Sequence, residues 1–391
     1  MSSITSDSQR TRLVGLDFLR GLVIFMAIFE HYTGYLNYWY VDFFPKESDF
    51  YDTLYHSHLP MLGQLVPMDS FTGQISAWLI PWVSQVYLAL AAFNLSARSS
   101  DHMRANLVKK LALFLSIIFV LYIEGFIIAP NFGEAISFYP VMLWMTLLAF
   151  FSIVYAFFGI RGMLVLTVLS TIVSQLGVTT LLEQVELWMQ AHVHPGYELD
   201  ARLDLFMASG CFGFLYGWVW HHYADKRDAM NKLVIGFALL ALTFYLLNGQ
   251  AATIDLNDVY AQEHELAEDT IGRLGIWGTE FLVIGLILTL HQAGIRLSWR
   301  PLNWIGMYSL TVFIFHKSIF IFLWGPLLTW ASAKMGTTLP NNFLLIFSLC
   351  SLSVAIIYLF KRSGIICHLM GDHQDQMWKD VYRQKRLPDA Q

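Results

Sequence analysis

Residues 16–32 read LDFLRGLVIFMAIFEHY, and the way this run is read decides the fold. With its flanks it is long and apolar enough to cross a bilayer as a helix, yet it carries Asp17, Arg20, Glu30 and His31. Ionisable groups are costly in hydrocarbon, so each must meet a partner or a hydrated cavity. On a helix turning 100° per residue, Arg20 and His31 lie three turns and only about 20° apart, so they share a face, separated by roughly 16 Å along the axis. Asp17 sits three residues before Arg20 on that face and is placed to pair with it. Glu30 points about 100° away from His31, toward a different neighbouring helix.

Similar apolar runs recur to the end of the chain. Of the 391 residues, 56% are hydrophobic, 16% aromatic and 14% charged, where a soluble domain carries about a quarter charged residues. This excludes a string of soluble domains and predicts an all-α, polytopic integral membrane protein with about ten transmembrane helices. The spans fall near 14–36, 76–97, 111–130, 138–158, 163–181, 204–222, 233–248, 273–293, 304–330 and 342–360. With the N-terminus inside, the inner segments hold 18 Lys or Arg and the outer ones 4. The bias alternates loop by loop, which places both termini in the cytoplasm. The reading is a tail over 1–13, one membrane domain over 14–360 and a second tail over 361–391. The first apolar run is too long for a signal-peptide core, and no small-residue cleavage site follows it. Three cysteines form no CxxC pair and imply no disulfide framework.

Counted from the cytoplasmic end of each span, Gln85, Glu124, Glu280, His316 and Lys317 fall at a depth of roughly 18–23 Å, with His31 slightly deeper. Five spans thus carry polar groups at one level, and convergence on a buried, hydrated cavity is the cheapest way to hold them. Arg20, with an inner basic rim of Arg98, Arg104, Lys109 and Lys110, suits the phosphates of a cytoplasmic anion. His31, three turns deeper, suits a general base, because an imidazole titrates near neutrality. Glu30, Glu124 or Glu280 would orient it or balance its charge. An elongated anionic donor fits this layout, and acyl-coenzyme A has that shape.

RLVGLDFLRGLVIFMAIFEHY (12–32) resembles the first span of the transmembrane acyltransferases, the group containing the acyltransferase-3 enzymes, the glucan succinyltransferases and the heparan-α-glucosaminide N-acetyltransferases. The match is a basic residue, ten intervening residues and a histidine, here Arg20 and His31. NWIGMYSLTVFIFHKSIF (303–320) resembles a late span of the same group, with Gly306 and Ser309 leading to His316. The resemblance implies transfer of an acyl group from cytoplasmic acyl-coenzyme A to a glycan or similar acceptor on the far side. It implies that His31 is catalytic, that Arg20 is essential, and that no metal or tightly bound cofactor is needed. Glu30 stands where those relatives carry Asn or Asp. The partners expected are acyl-coenzyme A, the acceptor and membrane lipid, with no nucleic acid, and the location is a bacterial inner membrane. A proton-coupled transporter using the intramembrane Glu and His residues is the alternative. Two His-x-His pairs, His56/His58 and His192/His194, have metal-like spacing but no partner motif nearby, and a metal is not expected there.

Overall fold

The computed structural model describes residues 13–43, 70–73, 75, 82–128, 140–175, 179–192, 203–248, 270–335 and 342–363. Among them every regular element is helical. In chain order these are α1 (Val14–Phe43), α2 (Val83–Leu95), α3 (Ser100–Ala105), α4 (Leu107–Ile128), α5 (Pro140–Gln175), α6 (Thr179–His192) and α7 (Leu203–His222). They continue with α8 (Arg227–Leu247), α9 (Thr270–Gln292), α10 (Arg300–Met307), α11 (Ser309–Ile319), α12 (Gly325–Met335) and α13 (Phe343–Arg362). Local chemistry sets several of these ends. The Asn342 side chain accepts from the Leu345 amide at 3.0 Å and caps α13, while Lys361 and Arg362 in its last turn complement the helix dipole. Pro301 opens α10, where its missing N–H costs nothing.

Among the described residues, five stretches are long and apolar enough to cross a membrane: Met142–Ser174, Ala224–Leu247, Ile271–Gln292, Ser309–Leu328 and Phe343–Arg362. The other expected spans are helical as well, in α1, α2, α4 and α7. Two segments differ from the sequence reading. The runs 138–158 and 163–181 meet in one helical stretch, α5, broken only at Gly159, whose φ of 60° and ψ of −154° suit a residue without a Cβ. The run 304–330 is not one helix. It breaks at Tyr308 and passes through a π-helical turn at Phe320–Trp324 before α12.

α1 is the hub. It packs against α10, α2, α13, α9 and α11, and Ile24, Ile28, Tyr32 and Leu36 on it are fully or almost fully buried. A second group is built on α7, which packs against α2 and α5, and a third is the pair α8–α9. Between membrane helices the gain comes from close packing rather than from removal of water, so small residues decide where backbones approach. Gly213 and Gly217 of α7 lie against the backbone of Ala89 and Phe93 of α2. Both contacts advance by four residues in the same direction, so α2 and α7 run parallel and Ser209 comes level with Gln85.

Candidate functional site

The site is built on the crossing of α1 and α10. A Cβ on Gly21 would lie 1.8 Å from the Leu302 carbonyl oxygen, and one on Gly306 would lie 1.8 Å from that of Asp17. The two backbones touch there, and only glycine on both sides permits it. Asn303 reinforces the crossing by donating from Nδ2 to the Val14 carbonyl at 3.0 Å. Beside it, Arg20 Nη1 donates to the Gly306 carbonyl at 3.3 Å and lies 3.5 Å from Asp17 Oδ1. Side-chain exposure is 15% for Arg20 and 8% for Asp17, so the guanidinium is held rather than solvated.

Near the other end of the same face, His31 meets α11. Its Nδ1 lies 2.9 Å from Nε2 of His316, and its Nε2 lies 3.5 Å from Oε2 of Glu30. The adjacent residue was expected to face another helix. Instead its flexible side chain curls back, and the carboxylate covers the imidazole edge turned away from His316. His316 Nδ1 is hydrogen-bonded to the Phe313 carbonyl one turn earlier on α11. His316 is almost wholly buried, while 31% of the His31 side chain is exposed. One imidazole can be reached, and the other supports it.

A second set of bonds holds the α11 backbone at this point. The Tyr32 hydroxyl donates to the His316 carbonyl at 2.9 Å and lies 2.7 Å from Ser353 Oγ on α13. Trp324 Nε1 donates to the same Ser353 Oγ at 2.7 Å. The π-helical turn begins four residues after His316, an arrangement that recurs at functional sites because it re-aims side chains and carbonyls. Phe313 lies 5.5 Å from the His31 ring and 5.7 Å from Trp144, which in turn lies 5.0 Å from Tyr87. These rings form an aromatic wall beside the imidazoles.

The supporting residues read from the sequence divide. Lys317 follows His316 directly on α11. Glu280, fully buried on α9, accepts from Ser209 Oγ at 2.9 Å, and its Oε1 has no hydrogen-bond partner among the described residues. Gln85, fully buried on α2, accepts from Ser84 Oγ at 2.8 Å, and its Nε2 likewise lacks a partner among the described residues. The side chain of Glu124 lies outside the described residues, and its helix α4 packs against α5 and α3. Of the other four expected spans, three therefore pack against α1, and the third in chain order, α4, packs against α5 and α3.

Arg98, Arg104 and Lys109 are exposed on the corner formed by α2, α3 and α4. Arg98 is bonded to His102, and the Arg104 guanidinium sits 5.6 Å above the Phe157 ring. His56, His58 and His194 lie outside the described residues, while His192 Nδ1 bonds to the Trp188 carbonyl of its own helix at 2.8 Å.

Sequence reasoning missed Gly21, Tyr32, Trp324 and Ser353. The glycine follows Arg20 directly and was available as a signal. Ser353 is one of several small polar residues in an apolar run, and nothing in its neighbourhood singles it out. Neither the family models nor the curated proteins give a match to this chain.

Proposed function

We propose that the chain is an integral-membrane acyltransferase of about ten spans with both termini in the cytoplasm. In this reading it moves an acyl group from cytoplasmic acyl-coenzyme A to a glycan or similar acceptor on the outer side of a bacterial inner membrane. The observation that carries the proposal is His31 itself. This partly exposed imidazole is hydrogen-bonded on one edge to buried His316, has a carboxylate on the other, and shares a helix with a mostly buried arginine. A histidine held between a neutral partner and a carboxylate is the arrangement expected of a general base.

His31 removes the proton from the acceptor hydroxyl or amine. The freed oxygen or nitrogen attacks the thioester carbonyl, the carbon–sulfur bond breaks, and the proton passes to the departing coenzyme A thiolate. Transient acylation of His31 is the two-step form of the same reaction. Arg20, together with the exposed Arg98, Arg104 and Lys109, supplies positive charge for the phosphates of the donor. No metal or prosthetic group enters the scheme.

The test is release of coenzyme A by purified protein in nanodiscs, over a panel of acyl donors, for wild type, His31→Ala and Arg20→Ala. Release by wild type, lost in His31→Ala by 100-fold or more on the order of a missing general base, is the expected result. Absence of both donor binding and release sinks the reading. The buried carboxylate of Glu280, with one oxygen unpartnered among the described residues, favours a second reading, a proton-coupled transporter. In that case Glu280→Gln abolishes substrate flux, and no thioester is consumed.

A further inference from the structure

Resting on the acyltransferase reading, we propose that His316 is a positioning residue that fixes the tautomer of His31, so that Nε2, the nitrogen beside Glu30, accepts the proton of the acceptor. The argument runs along the hydrogen bonds. A carbonyl oxygen only accepts, so the hydrogen between His316 Nδ1 and the Phe313 carbonyl belongs to the nitrogen. Neutral His316 then carries its lone pair on Nε2. The 2.9 Å contact is a hydrogen bond only if His31 donates from Nδ1. That leaves Nε2 of His31 as its basic nitrogen, 3.5 Å from Glu30 Oε2. The opposite direction would require His316 as a cation, 2% exposed and next in sequence to another cation, Lys317, and a second positive charge buried there is the more costly state.

The bonds behind His316 have a fixed direction too. Trp324 Nε1 can only donate, so Ser353 Oγ accepts from it and gives its own hydrogen to the Tyr32 oxygen. Tyr32 in turn gives its hydrogen to the His316 carbonyl. Residues 31 and 32 of α1 are thereby tied to residue 316 twice, once through the ring and once through the backbone. The His316 ring is held by its own two bonds, to His31 and to the Phe313 carbonyl, and the backbone that carries it is held by a chain that reaches α13. When His31 takes up a proton on Nε2, the new N–H faces the Glu30 carboxylate, which steadies the imidazolium until the proton leaves with the thiolate. Glu30, directly before the histidine in sequence, thereby receives a role that its helical angle had not suggested.

The experiment uses the full chain in nanodiscs with ring-¹⁵N histidine, and assigns His31 by difference from His31→Gln. Pyrrole-type and pyridine-type nitrogen shifts report which nitrogen carries hydrogen, with no substrate present. The expected wild-type spectrum shows hydrogen on Nδ1 and a bare Nε2. His316→Gln, whose side-chain oxygen accepts the same bond, keeps that tautomer and most of the coenzyme A release. His316→Phe, which cannot accept, gives a mixed tautomer, and turnover falls by about 10- to 100-fold with donor KM unchanged, as when an orienting partner is lost. A wild-type His31 with hydrogen on Nε2 overturns the proposal, as does an unchanged tautomer in His316→Phe. If that variant does not fold, the wild-type and His316→Gln spectra decide. A chain that shows the expected tautomer but binds no acyl-coenzyme A would overturn the acyltransferase reading alone.

Discussion

α8 and the α11–α12 stretch are both apolar enough to cross a membrane, yet they are used in opposite ways. Only 11% of the most apolar window of Ala224–Leu247 is buried, against 56% for Ser309–Leu328. Leu233, Phe237, Leu240 and Phe244 of α8 are exposed, and its packing is concentrated on α9. The other stretch carries His316 and Lys317 and leads into a π-helical turn tied to α1 and α13. Apolar composition says that a helix can enter a membrane, and the polar and glycine positions say which side of it meets protein. The glycines make the contrast sharpest. Gly21 and Gly306 have backbone atoms where a Cβ would go, while Gly236 of α8 has nothing within 4 Å.

The sharpest way to break this contrast is to add one methyl group to the crossing. Gly21→Ala or Gly306→Ala puts a Cβ within 1.8 Å of a carbonyl oxygen on the facing helix, and a backbone carbonyl cannot rotate away as a side chain would. Overpacking costs about 1–3 kcal/mol where side chains can shift. Here α1 and α10 must separate, so each variant is expected to lose about 3 kcal/mol or more, read as a lowered Tm in nanodiscs. The separation also moves Arg20 from the Gly306 carbonyl, so donor binding should weaken in whatever protein still folds. A Tm within error of wild type would mean that the crossing is looser than the backbone contacts indicate.

Much of this was legible in one helix and little of it in the others. The 3.6-residue repeat places Arg20 and His31 on one face, and both turn to the same α10–α11 segment. The Asp17–Arg20 pairing follows from a three-residue spacing. The identity of the partner helix does not follow from any local rule, because His316 lies 285 residues away and apolar runs between carry no label for their neighbours. Depth counting ranked Glu124 with Gln85 and Glu280, but α4 packs against α5 and α3. Equal depth says nothing of position around the bundle. Glu30 was named as a group that could balance His31, but its direction was misread for a different reason. Helical angle fixes where a Cβ points, and a long side chain can still return to its neighbour.

Two ion pairs repeat the contrast at lower energy. Asp17 and Arg20 are mostly buried at 3.5 Å, and Asp228 and Lys232 are 2.7 Å apart on the surface of α8. Removing one member of a fully buried pair costs about 3–5 kcal/mol, because the other charge is left without compensation. Arg20 is 15% exposed and keeps the Gly306 carbonyl, so Asp17→Ala is expected to cost less, about 2–3 kcal/mol. Chemical denaturation of the nanodisc-held protein measures it, and a cost under about 1 kcal/mol would place the pair with ordinary surface bridges. Gly236→Ala should move stability the other way. With open space around the site, the helix gains up to about 1 kcal/mol from the change of propensity. A destabilised Gly236→Ala chain would show that α8 packs against something beyond α9.

The smallest effect should come from the shorter ion pair. Asp228 and Lys232 are one helical turn apart, with side chains 67% and 76% exposed. Water and salt screen such a pair, and both side chains lose rotamer freedom to form it, so exposed i,i+4 bridges contribute about 0.3–0.5 kcal/mol. Lys232→Met should therefore shift the unfolding midpoint by no more than that, and the shift should shrink further in high salt. A double-mutant cycle with Asp228→Asn isolates the coupling from the loss of each side chain. If this pair proved as strong as Asp17–Arg20, closeness rather than burial would govern ion pairs in this protein.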